Sequence, residues 1–243
     1  MRESKRLIGM WGYPDPDKLL EIKKKYPDNT VIDLDINIKA PPSGVLPDAH
    51  CRIIKNIVDN SLFLKDRLDV IVASVGREKC DSGWFTAKIL RDMGLNVIET
   101  RYEEFGDRVF GTPISKSNLP VKEKINLIMD NLIEKREVPF KQVKAEFGFW
   151  GVPPNDLDFL DIFPLNTHIY GWTRCVEAGR PADIDLEMHV DEDVPTVFFA
   201  HTFCAKMELA KYLAEKHNGL YVDVDDVASN SVRAKIEAFI NLR

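Results

Sequence analysis

The chain has 243 residues, a formal net charge of −6, 44% hydrophobic residues and 30% charged ones. That length allows one large domain or two small ones with sizeable cores, and the composition is globular rather than disordered. No basic run exceeds Lys23-Lys24-Lys25, which argues against a nucleic-acid surface of clustered cations; the triplet itself reads as a solvated helix end. No stretch approaches the length of a membrane span. Residues 1–6 carry no apolar signal core. A cytoplasmic location without membrane contact is therefore expected, with thiols kept reduced. The four cysteines then read as ligands, nucleophiles or buried apolar residues, not disulfides.

The elements alternate along the chain. A strand is predicted at Leu7–Trp11 and a helix over 17–22. A second strand follows at 30–34, then a Pro/Gly-rich loop at 39–47 and a helical stretch over 52–58. A third strand at 69–74 is a continuous apolar run, as expected for a strand buried on both faces. A helix around 86–90 stops at Gly94, a fourth strand runs over 96–99, and a helix at 121–135 closes the half.

The pattern then recurs. Ile8-Gly9-Met10-Trp11-Gly12-Tyr13-Pro14 returns as Phe147-Gly148-Phe149-Trp150-Gly151-Val152-Pro153. It is followed by a helix over 156–160, strands at 167–172 and 195–200, a helix around 209–213 ending at Gly219, a strand at 220–224 and a helix over 231–242. Two Rossmann-like halves related by internal duplication are expected, 1–140 and 141–243, each with a parallel sheet and right-handed crossovers. The insert at 39–47 accounts for the greater length of the first.

In such sheets ligands bind outside the carboxyl ends of the strands. The residues placed there are Trp11, Gly12, Asp33 and Asp35 in the first half, with Arg77, Cys80 and Arg101 further on. The second half offers Trp150, Gly151, Arg174, Cys175, His201, Cys204, Asp223 and Asp225. The Trp-Gly loops are candidate cofactor-binding walls, because glycine admits a ligand to the backbone and tryptophan offers a flat apolar face; a turn that merely packs its tryptophan is the alternative. His201, Arg77 and Arg174 are the catalytic candidates. His168, His189 and His217 read as structural or exposed. No G-x-G-x-x-G, P-loop or G-x-S-x-G motif is present.

Aligning the halves places the cysteines in two equivalent pairs, Cys51 with Cys175 and Cys80 with Cys204. Thiolates gathered near helix N-termini suit an iron–sulfur cluster or tetrahedral zinc. No Cys-x-x-Cys pair enforces such a site, and four buried or lone thiols are the alternative. The apolar strand 69–74 leading to Cys80-Asp81-Ser82, with Cys204 as its counterpart, resembles the iron–sulfur subunits of the 2-hydroxyacyl-CoA dehydratase and benzoyl-CoA reductase type. That resemblance implies a [4Fe-4S] cluster between α/β domains, held by cysteines that follow strands. This chain is shorter and has a longer loop before Cys80.

Three kinds of function follow as expectations. One is a metal or iron–sulfur protein of anaerobic metabolism with a redox or cofactor-assembly role, using Cys51, Cys80, Cys175 and Cys204. The other is a metal-free small-molecule enzyme, a transferase or isomerase, with Asp33, Arg77, Arg174, His201 and Asp225 as polar groups. A non-catalytic subunit or homo-oligomer, with 105–113 and the insert as contact loops, is the third.

Overall fold

A computed structural model describes residues 5–77, 79–103 and 113–243. Most of the predicted contact loop 105–113 lies outside these residues. The first unit holds β1 (Leu7–Trp11), α1 (Pro16–Lys25), β2 (Thr30–Asp33), α2 (Arg52–Phe63), β3 (Leu68–Ser74), α3 (Asp81–Asp92) and β4 (Val97–Thr100). Its sheet is fully parallel with order β2-β1-β3-β4. The second unit holds α4 (Val121–Ile133), β5 (Phe147–Trp150), β6 (Thr167–Tyr170), α5 (Trp172–Glu177), α6 (Ile184–Met188), β7 (Thr196–His201), α7 (Lys206–Lys216), β8 (Leu220–Val224) and α8 (Asn230–Asn241). Its sheet, β6-β5-β7-β8, is again fully parallel and repeats the first order. The fold is α/β with two Rossmann-like sheets. Among the described residues no helix is long and apolar enough to cross a membrane.

Local chemistry explains the elements. The Asp15 carboxylate accepts from the backbone N–H of Asp17 and Lys18, Pro16 opens α1, and the lysine triplet fills its last turn. Each feature satisfies or complements a helix end. The central strands β3 and β7 are almost wholly buried, as double-sided packing requires. On one face of the first sheet, Ile54, Ile57, Ala87 and Leu90 from α2 and α3 pack with Trp11, Ile71 and Ala73. In the second, Ala210, Leu213 and Ala214 of α7 pack with Trp150, Tyr170 and Phe198.

Three sequence expectations shift. The chain divides into compact units at 1–103 and 104–243, so α4 packs with α5 and β6 of the second unit; the sequence placed the division near 140, after this helix. The helix expected over 156–160 is only a 3₁₀ turn, Asp158–Ile162. Pro164 sets where that turn ends, because the residue before proline is pushed from the α region, and Phe163 is indeed extended with ψ 137°. The strand expected over 167–172 stops at Tyr170, where Gly171 takes φ 74° and starts α5.

Candidate functional site

In the first unit the strand order reverses between β1 and β3, so the crevice to inspect lies past their carboxyl ends. The two loops there are tied together. Ser74 at the end of β3 donates its hydroxyl to the Tyr13 carbonyl at 2.7 Å. Gly12 turns with φ 64°, and a Cβ on it would stand 3.0 Å from that of Ser74, so close approach and backbone angle both favour glycine.

Gly12 also organises an acidic pair. Its N–H donates to Asp35 Oδ2 at 2.8 Å, while the Asp35 N–H donates to Asp33 Oδ1 at 2.9 Å. Asp33 ends β2 and is buried. Although the Asp35 residue as a whole is half-buried, its Oδ1 is sealed from solvent and accepts no hydrogen bond among the described residues. Burial first, and then the negative charge of Asp33, hold the Asp35 carboxyl well above the usual carboxylate range; the Gly12 bond opposes this only in part. The crevice therefore contains a carboxyl group biased toward its neutral, proton-donating form.

Two donors accompany it. α3 begins at Asp81 after Cys80, an exposed N-cap residue whose side chain makes no capping bond. Cys80 thus gives the first N–H groups of that helix no side-chain cap, while the Gly83 N–H donates to the Cys80 carbonyl at 3.0 Å. The Trp11 indole N–H is buried and has no hydrogen-bond partner among the described residues; a Cβ on Gly83, in the first turn of α3, would lie 3.7 Å from it. Arg77 is exposed in the loop after β3, where its backbone N–H donates to Glu103 Oε1 at 3.0 Å. Cys51 is the half-buried N-cap of α2, again without a capping bond, and packs against the core.

The matching edge of the second unit is closed. The Trp150 indole donates to the Glu187 carbonyl of α6 at 2.6 Å. The Glu187 carboxylate is paired with Lys206. Gly151 has φ 155°, and a Cβ there would meet the Phe199 carbonyl at 2.7 Å. His201 was expected in a loop; it instead ends β7, is 1% exposed, and donates from Nε2 to the Pro153 carbonyl at 3.0 Å. It clamps the Trp-Gly loop as Ser74 clamps its counterpart. Cys175 was expected just after a strand; it lies inside α5, where its thiol donates to the Asp183 carbonyl at 3.7 Å. Burial, with the Glu187 charge adding to it, pushes that thiol up to about 12. Arg174 pairs with Glu177 at 3.2 Å. Cys204 and Asp225 are half-buried.

None of the four cysteines forms a disulfide among the described residues. Among the described residues no three His, Cys, Asp or Glu side chains come together as a metal-ligand set. Cys51 and Cys80 belong to the first unit, Cys175 and Cys204 to the second.

Asp33 and Asp35 lie at the carboxyl edge of the first sheet, as the sequence places them, while the catalytic candidates read from sequence are Arg77, Arg174 and His201. Only the structure distinguishes the acid with an orphaned oxygen from the neighbour that accepts its N–H. No protein-family model matches the chain, and comparison with curated proteins finds no match.

Proposed function

We propose that the first unit is the working half and that its crevice takes a small molecule bearing an oxyanion, a carboxylate or phosphate, with Asp35 as the proton donor. The observation that carries this is the Asp35 carboxyl: buried, biased toward neutrality, and with Oδ1 unengaged. Three kinds of donor are grouped at this edge, namely the start of α3, the Trp11 N–H and the Asp35 acid. An oxyanion is the ligand that open helix N-termini favour. A carboxyl kept neutral by burial is how a protein supplies a proton near neutral pH. An isomerase- or transferase-type reaction is the class this supports. The shared strand order and the two Trp-Gly turns support a duplication in which the second copy has filled its crevice with α6.

Inorganic phosphate and malonate, titrated calorimetrically into the full chain, are the test. Saturable binding weakened about tenfold by Asp35→Ala, a difference of about 1.4 kcal/mol, is the expected result. Equal affinity in the variant, or no heat with either anion, would count against the reading.

One observation favours a second reading. Cys51 and Cys80 open α2 and α3, two helices that pack against each other, and neither thiol caps its helix. A thiolate-held iron–sulfur cluster or zinc with a redox or cofactor-assembly role would use this pair. Cys175 fits such a ligand set poorly, since its buried thiol retains its proton and its bond to Asp183. Anaerobically purified chain should then carry metal that Cys51→Ser and Cys80→Ser each reduce. A colourless, metal-free chain removes this reading.

A further inference from the structure

A separate cleft opens at the opposite edge of the second unit, outside the amino ends of β6 and β7. It is a cavity of 590 Å³ whose lining includes Lys144, His168, His189, Asp191, Glu192 and Asp193. His168, the second residue of β6, is 5% exposed. Its Nε2 lies 2.9 Å from the Val143 carbonyl. A carbonyl only accepts, so Nε2 carries the ring proton. Burial chiefly holds the ring below its ordinary value, so in the neutral ring Nδ1 presents a lone pair. That Nδ1 is buried and has no hydrogen-bond partner.

Opposite Nδ1, at 4.0 Å, stands Asp191 Oδ2. The same oxygen accepts the Tyr170 hydroxyl at 2.9 Å. Asp191 Oδ1 lies 3.5 Å from His189 Nε2. A lone pair and a carboxylate therefore face each other with no proton between them. The lining itself carries three carboxylates, Asp191, Glu192 and Asp193, against the exposed Lys144, with Lys116 and Lys124 also acting on the His168 ring from outside the lining. The site asks for a ligand that donates hydrogen bonds and carries positive charge.

Spacing decides which cation. Two ligands of a tetrahedral zinc at about 2.0–2.1 Å would stand roughly 3.3 Å apart, closer than the 4.0 Å seen. A nitrogen donating about 2.8 Å hydrogen bonds to both atoms spans 4.0 Å with a bond angle near a right angle. We infer that this cleft is a binding site for a primary ammonium group, such as the head of a small diamine, held between His168 Nδ1 and Asp191 with Glu192 and Asp193 as outer charges. This site lies in a different unit from the proposed oxyanion crevice and does not depend on it.

The probe is 1,4-diaminobutane, titrated into the full chain and followed by calorimetry and by the ring resonances of His168. Saturable one-to-one binding is expected, with movement of the His168 signals. Asp191→Asn retains an acceptor for Tyr170 and should weaken binding at least tenfold, while Glu192→Gln, on the cleft rim, should weaken it two- to threefold. Tetramethylammonium has the charge but no N–H, and should not bind. The inference is overturned if His168 does not respond, if Asp191→Asn binds equally well, or if tetramethylammonium competes. Tight binding of zinc alone through His168 would overturn the ammonium assignment as well.

Discussion

Trp150→Phe will cost about 1–3 kcal/mol more stability than Trp11→Phe. The two residues hold the same place in the two Trp-Gly turns, and both are nearly fully buried, Trp150 at 0% and Trp11 at 3%. Each substitution removes one ring, so the cavity contributions largely cancel in the comparison. The hydrogen bonds do not cancel. Trp150 gives up a 2.6 Å bond and strands the Glu187 carbonyl, whereas Trp11 loses an N–H that has no hydrogen-bond partner among the described residues. Trp150→Ala, which empties the site entirely, should cost about 3–5 kcal/mol. Chemical denaturation of the single variants measures both. Equal costs for the two Phe variants would mean that the Trp11 N–H has a partner after all.

Lys124→Ala should destabilise the second unit by about 3–5 kcal/mol. Lys124 is a fully buried lysine on α4 whose ammonium donates to the carbonyls of Leu165 at 3.2 Å and Thr167 at 2.6 Å. Removing it leaves a void and two acceptors without their donor. Burial lowers the lysine to about 8, with Glu177 opposing, and the sign of the pH dependence follows. Between pH 8 and the ordinary lysine range near 10.4, the unfolded chain holds a proton that the folded chain has released. Stability from this residue therefore rises with pH through that window and is lowest below it. Lys124→Met should lose less stability than Lys124→Ala and should abolish the rise. Denaturant midpoints of wild type and Lys124→Met between pH 7 and 10.5 check this; parallel curves would contradict it.

The architecture was legible in the sequence because it rests on periodicity. Continuous apolar runs at 69–74 and 195–200 marked the two central strands, and the paired Trp-Gly turns marked the ends of β1 and β5. Boundaries were less legible. Val121–Ile133 reads as a good helix, but only contacts assign it to the second unit. The 156–160 segment has helical residue types, yet only the 3₁₀ turn Asp158–Ile162 forms, and the Phe163-Pro164 step ends it. The site was legible as an edge and not as a set of residues. His201 and Cys175 are reactive types near that edge, yet one is spent on a loop carbonyl and the other is packed inside a short helix. His168 read as structural, and half of it is: Nε2 holds Val143 while Nδ1 faces the cleft. One ring with two roles cannot be resolved from residue type. Asp35 gained its importance from a burial of its carboxyl that its exposed neighbours Ile36 and Asn37 do not announce.

The account stands most directly on the crevice of the first unit. The decisive measurement is an amide and indole ¹H–¹⁵N titration of the full chain with inorganic phosphate to about 10 mM, a range that reaches millimolar affinities. Saturable shifts are predicted at the Gly12, Ser82 and Gly83 amides and at the Trp11 indole, with the Trp150 indole unmoved. A Trp11 indole and α3 start that stay still, or a response confined to the second unit, would contradict it.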